Sequence, residues 1–262
     1  MVIIAVLLSL YILICALLFI VQEKLIFFPE KLSKSHRFDF SHPFEELSIE
    51  TTDGSVLHGL LFKAANPKGL IFYLHGNAGS ADSWGGVAPT YTRLGYDVFL
   101  LDYRGYGKSD GQIESEKQLF EDMGRAYGEM TKRYNENEII VLGYSIGTGP
   151  ATKLASENKP RMLILQAPYF SLTDMVKRTI PFVPSFIVKY KLETYRYISS
   201  CRMPIVLIHG DEDEVIYYES SVKLKPLLKA GDTLITLGGQ GHNGMTSNPN
   251  YVKAIENILG DR

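Results

Sequence analysis

The chain opens with an unbroken uncharged run from Val2 to Val21, whose only polar interruptions are Ser9, Tyr11 and Cys15. Wound as a helix it is about 30 Å long, the thickness of a bilayer core. It exceeds the apolar core of a cleaved secretion signal, no basic residue precedes it, and no small-x-small cleavage site precedes Gln22. The pattern therefore predicts a retained anchor over residues 1–21. Lys24, Lys31, Lys34 and Arg37 follow the run and no Lys or Arg precedes it, which favours a cytoplasmic side for the rest of the chain. Residues 22–44, with Pro29 and Pro43, read as an irregular link at the membrane.

Beyond the link the period changes. Glu46 to Thr51 and Val56 to Lys63 are strand-like and flank Thr52-Asp53-Gly54, which has hairpin chemistry. Continuous apolar runs then predict buried strands at Gly69–Leu74, Asp97–Leu101, Ile139–Leu142, Met162–Gln166, Pro204–Ile208 and Thr233–Leu237. Helical periods lie between them, over 81–94, 114–134, 146–156, 217–228 and 249–259. Strands alternating with helices predict an α/β fold, a mainly parallel sheet covered on both faces. Pro168–Met203 breaks the alternation. The domain so defined covers 45–262.

Composition changes this picture little. At 45% hydrophobic and 21% charged the chain is an ordinary globular sequence. A net charge of -2 gives no reason to expect a nucleic-acid partner. The two cysteines, Cys15 and Cys201, lie far apart and do not suggest a disulfide framework. The sequence has no His-Glu-x-x-His, paired-cysteine or Walker pattern, so neither metal nor cofactor is expected.

The chemistry gathers at Gly143-Tyr144-Ser145-Ile146-Gly147. Gly-x-Ser-x-Gly between a buried strand and a helix is the pattern of a nucleophile elbow, a sharp turn that exposes a serine hydroxyl. A dinucleotide-binding turn is the competing reading. It fails because Gly143 to Thr152 does not fit Gly-x-Gly-x-x-Gly and no acidic residue ends the next strand. A serine needs a base. Of six histidines, His36, His42 and His58 precede the parallel strands, and His75 and His209 sit in His-Gly steps at strand ends. His242, in a glycine-rich loop after the last strand, is the expected base. Asp213 is the expected acid and gives the chain order Ser, Asp, His; Asp211, Glu212 and Asp174 compete with it. The backbone N–H groups of Ile146 and Asn77 are the expected oxyanion donors. Arg104 is expected to brace loops through a salt bridge.

These motifs come in a set: Gln22 to Pro29 after the anchor, His75-Gly76-Asn77-Ala78-Gly79, Asp102-Tyr103-Arg104-Gly105-Tyr106-Gly107-Lys108-Ser109, the elbow, His209-Gly210-x-x-Asp213 and Gly241-His242-Asn243. Together they resemble the α/β-hydrolase superfamily, in its serine aminopeptidase-like branch, and within that the membrane-anchored α/β-hydrolase-domain proteins. The resemblance implies an eight-stranded core with a cap after the sixth strand, here about 168–203, and selects Asp213 as the acid. It also implies a serine hydrolase acting on an ester, a thioester or a peptide. The apolar cap residues, among them Phe170, Met175, Phe182 and Phe186, suit a lipid-like or acylated small-molecule substrate. A peptidase and a non-catalytic anchored scaffold are the alternatives; the intact set speaks against the scaffold.

Overall fold

The structure is a computed structural model that describes residues 1–260. Eight strands form one sheet: β1 (Phe44–Glu50), β2 (Val56–Phe62), β3 (Leu70–Leu74), β4 (Asp97–Leu101), β5 (Ile139–Tyr144), β6 (Met162–Gln166), β7 (Ile205–Gly210) and β8 (Thr233–Leu237). Their order is β1-β2-β4-β3-β5-β6-β7-β8. The β1–β2 and β2–β4 pairs are antiparallel and every later pair is parallel. Successive side chains of a strand point to opposite faces. Phe72 and Leu74 of β3 join Val141 of β5 in one core layer, whereas Ile71 and Tyr73 join Ile140 and Leu142 in the other. Both layers are apolar because both are covered.

The helices are α1 (Val2–Ile20), α2 (Gln22–Ile26), α3 (Ala81–Trp84), α4 (Ala88–Thr92), α5 (Glu116–Thr131), α6 (Thr148–Glu157), α7 (Leu172–Thr179), α8 (Thr194–Ile198), α9 (Glu219–Leu224) and α10 (Pro249–Leu259). Helices α5 and α6 cover the first layer; α4 and α10 cover the second. Good caps set their starts. The Ser115 side chain accepts from Gln118 N–H, and Asn248 accepts from Asn250 and Tyr251 ahead of Pro249. Two expected helices are shorter than their periods suggest. Residues 81–94 divide into α3, a 3₁₀ turn and α4, because Gly85 packs against the Phe40 ring and Pro89 restarts the helix. Residues 217–228 give α9 and then a 3₁₀ turn, Lys225–Leu227, because Pro226 has no N–H to continue the ladder.

Helix α1 has no buried residue and is long and apolar enough to cross a membrane. The segment after it is more ordered than an irregular link. Gln22–Ile26 is a helical turn, Gln22 and Phe27 are buried, and Pro29 and Lys31 form parallel bridges with Gly79 and Gly107. This strap lies on two loops of the sheet's carboxyl edge. Between β6 and β7 the cap carries α7 and α8.

Candidate active site

In an open parallel sheet, sites form beyond the carboxyl ends of strands, where successive connections leave in opposite directions. Here β3 is that point, since β4 lies on one side of it and β5 on the other. Asn77 follows β3, Ser145 follows β5, Asp213 follows β7 and His242 follows β8.

The elbow is tight. Ser145 has φ of 52°, a left-handed conformation rare for a residue with a Cβ. It is held there by close packing of the flanking glycines. A Cβ on Gly143 would lie 2.5 Å from the Gly147 carbonyl oxygen, and one on Gly147 would lie 2.2 Å from the Leu74 oxygen. Glycine at both positions lets β5, the elbow and the end of β3 touch through backbone alone.

His242 Nε2 lies 3.0 Å from Ser145 Oγ. Its Nδ1 lies 2.8 Å and 3.0 Å from the two carboxylate oxygens of Asp213. A carboxylate only accepts, so Nδ1 carries the proton and Nε2 presents a lone pair to the serine. The His242 loop is fixed at both ends: Glu214 accepts from the His242 N–H at 3.0 Å, and the Tyr144 hydroxyl donates to the His242 carbonyl.

Asp213 is itself held. Its Oδ1 accepts from the N–H groups of Val215 and Ile216, at 2.9 Å and 2.7 Å. Its Oδ2 lies 3.1 Å from His209 Nε2, which also faces the Ile216 carbonyl at 2.8 Å. Both neighbours are acceptors, so that nitrogen carries a proton and donates. Burial alone would raise the Asp213 carboxyl. Hydrogen bonds from His209 and His242, the charge of His242 and the Ile216 N–H outweigh it, and the group is held well below the usual carboxylate range.

The oxyanion candidates stand on either side of the serine. Asn77 and Ile146 both line the cavity of about 380 Å³ that contains Ser145 and His242. Ile146 N–H lies in the first turn of the helical segment after the elbow, where helix starts leave donors free. Among the described residues, no backbone carbonyl accepts from Asn77 N–H. The Asn77 side chain is occupied: Oδ1 accepts from Phe28 N–H and the Tyr106 hydroxyl, each at 3.1 Å, and Nδ2 donates to the Ile26 carbonyl at 2.5 Å. The loop after β3 is therefore pinned to the strap.

The competing residues lie elsewhere. Asp174 pairs with Lys223 at 2.8 Å, and Asp211 accepts from Gly239 N–H at 2.7 Å. His75 is fully buried beneath the loop, its Nδ1 donating to the Gly76 carbonyl at 2.7 Å; burial pushes its imidazole down. Arg104 bridges Asp122 at 2.6 Å and Asp53 at 2.8 Å, tying the loop after β4 to α5 and the β1–β2 hairpin. Sequence reasoning did not assign His209 and the Asn77 side chain their parts. The four-residue spacing of His209 and Asp213 was the one available signal for the first.

An eight-stranded, mainly parallel sheet with a serine elbow, and a histidine and an aspartate at its carboxyl edge, is the architecture of an α/β-hydrolase. The sequence model of the family described as serine aminopeptidase, S33, matches residues 65–198, and the chain belongs to that family. It is 28% identical over 242 residues to alpha/beta hydrolase domain-containing protein 17C of Xenopus tropicalis, covering 87% of this chain and 76% of that protein. It is 29% identical over 190 residues to protein bem46 of Schizosaccharomyces pombe, covering 68% and 63%. Among solved structures, the Pyrococcus furiosus esterase Pf2001 superposes with a TM-score of 0.72 at 19% identity, covering 89% of this chain and 96% of that one. Est1E of Butyrivibrio proteoclasticus, solved with ferulic acid bound, gives 0.70 at 20% identity, covering 81% and 97%. At those identities the structures speak for the fold.

Proposed function

We propose that the chain is a membrane-tethered serine hydrolase that cleaves a carboxylic ester or thioester through an acyl-enzyme on Ser145. The observation that carries the reading is the relay itself, Ser145 Oγ to His242 Nε2 at 3.0 Å and His242 Nδ1 to Asp213 at 2.8 Å. Ser145 Oγ attacks the acyl carbonyl while His242 takes its proton. The N–H groups of Asn77 and Ile146 hold the oxyanion. The carbon–leaving-group bond then breaks and His242 returns the proton to the departing alcohol or thiol. Water, deprotonated by His242, releases the carboxylic acid and regenerates Ser145. Asp213 keeps the tautomer throughout.

The family description favours a second reading, an aminopeptidase. Such an enzyme needs an anion for the substrate ammonium, and among the described residues those lining the Ser145 cavity include no Asp or Glu. The walls are instead Leu25, Ile26, Trp84, Leu172 and other apolar groups, which suits an acyl chain. In this reading residues 1–21 are the anchor, 22–44 the link and 45–262 the hydrolase domain, facing the cytoplasm by the charge rule.

Purified full-length protein treated with a fluorophosphonate probe should label, and Ser145→Ala should not. A panel of esters, thioesters and aminoacyl amides should then show turnover of the first two. Absence of labelling in the wild type would sink the proposal.

A further inference from the structure

The tip of the cap, residues 179–188, carries no charge. Lys177 and Arg178 stand directly before it, and Lys189 and Lys191 follow it. An uncharged, largely apolar run of about 10–14 residues belongs either in a buried core or in a re-entrant or interfacial membrane segment. A core is excluded here, because Phe182 and Phe186 are 64% and 83% exposed. Both stand on the side of the cap that meets α1, a helix with no buried residue. Pro184, Phe186 and Ile187 share one apolar cleft with Tyr11, Cys15 and Phe19. A contiguous exposed apolar surface of this kind marks an interaction region.

The height of the contact decides between water and lipid. The Tyr11 hydroxyl donates to the Phe182 carbonyl at 2.9 Å. Tyr11 stands nine residues before Ile20, the last residue of α1, which is about 13 Å along the helix. A membrane span takes roughly 17–25 residues, and α1 has 19. The helix therefore has no turns to spare for lifting its foot clear of the bilayer, and the cap tip cannot lie beside Tyr11 and stay in water.

Hydrocarbon offers no hydrogen bonds, so backbone carried into it is satisfied within the protein. The tip is built toward that condition. Pro181 and Pro184 have no N–H to satisfy. The N–H groups of Ile180, Val183, Ile187 and Val188 donate to the carbonyls of Val176, Ile180, Pro184 and Ser185. The Phe182 carbonyl takes the Tyr11 hydroxyl, and the Ile187 carbonyl takes Gln22 Nε2 at 3.0 Å. At the base of the tip Lys189 pairs with Glu23 at 3.1 Å, just past the foot of α1 and at headgroup level.

We propose that residues 179–188 are a re-entrant tip of the cap, seated among the acyl chains of the bilayer against α1. The protein then holds the membrane at two places, and its partner at the second is the hydrocarbon of the leaflet nearest the foot of α1. This rests on reading residues 1–21 as the membrane anchor. A domain gripped twice cannot swing on the turn at 21–27, so the cap stays against the bilayer.

The test uses full-length wild-type protein in phosphatidylcholine vesicles. Part of the lipid carries a diazirine midway along one acyl chain, and crosslinks are mapped by mass spectrometry after photolysis. They are expected at Phe182 and Phe186 as well as along α1. Crosslinks confined to α1 would overturn the tip and keep the anchor; crosslinks at neither would remove the anchor reading and the proposal with it. A second measurement places a nitroxide at Phe186→Cys in a Cys15→Ser background, with Leu8→Cys and Lys159→Cys as references. The label at 186 is expected to match that at 8, open to oxygen and shielded from a water-soluble nickel chelate, and to be the reverse of the exposed position 159. A match to 159 would overturn the proposal. So would shielding from both reagents, which would mean that a second copy of the chain covers the tip.

Discussion

Replacing Gly147 by alanine adds one methyl group at the point where the elbow touches the end of β3. The new Cβ would lie 2.2 Å from the Leu74 carbonyl oxygen and 2.8 Å from that of His75. The first contact is 0.8 Å short of the 3.0 Å below which real Cβ atoms essentially never come. Both obstacles are backbone, so no side chain can turn aside. The elbow and the β3 loop must part by close to 1 Å, and overpacking of this kind costs about 1–3 kcal/mol. For a domain of this size that lowers the melting temperature by about 3–10 °C. The catalytic cost is larger, because Ser145 sits on one side of the parted contact and Asn77 on the other. A misplacement of about 1 Å is enough to lose about 100-fold in rate. The assay is the second-order rate of fluorophosphonate labelling, read beside a thermal melt. Gly124→Ala is the control: it lies on the exposed face of α5, a Cβ there meets nothing within 4 Å, and it should stabilise by about 0.5–1 kcal/mol. Wild-type labelling by Gly147→Ala, with Gly124→Ala behaving as expected, would refute the argument that the glycine contact aligns the site.

Two further outcomes rest on ionisation. The Asp213 carboxyl is depressed in the folded state below its ordinary value of about 3.9, so its charge contributes stability that is present above that pH and is lost as pH falls through the folded value. The melting-temperature gap between wild type and Asp213→Asn should therefore be seen at pH 7 and narrow below about pH 4, while turnover at pH 7 falls by about 10⁴; an equal gap at pH 7 and pH 3 would assign the loss to packing. Burial pushes the Cys201 thiol up to about 12. Only about one thiolate in ten thousand is then present at pH 8, and iodoacetamide should modify Cys201 after denaturation but not before, as read by mass spectrometry.

What the sequence disclosed and what it concealed divide by the kind of atom involved. The buried strands were legible because continuous apolar runs have few other uses in an α/β chain. The serine and histidine candidates stood out because each sits in a short string with its own glycine, whereas Asp213 was separated from Asp211 only by the resemblance. The strap was not legible. Glu30 and Leu32 donate their backbone N–H groups to the Gly79 and Gly107 carbonyls, and backbone pairing over an irregular stretch leaves no period to read. The same holds for the Asn77 side chain, whose partners are the Ile26 carbonyl and Phe28 N–H. His209 was visible as a strand-end histidine, but which way its ring turns depends on the Ile216 carbonyl and Ser221, distant in the loop and helix that follow. Gly85, Gly86 and Pro89 were visible too; the break they make in 81–94 depends on Phe40 arriving from the link.

The strap also closes late relative to its own synthesis. Residues 27–32 are made early, directly after the helix, yet Glu30 N–H and Leu32 N–H find their acceptors only at Gly79 and Gly107. Those loops are placed by β3 and β4, so the strap waits unpaired while most of the antiparallel edge of the sheet is translated. It can close once both loops exist and, through Asn77, it holds the loop after β3. A nascent chain halted before residue 107 has its elbow still unmade and its strap still loose. The strap's partners are thus complete before Ser145, Asp213 and His242 are made.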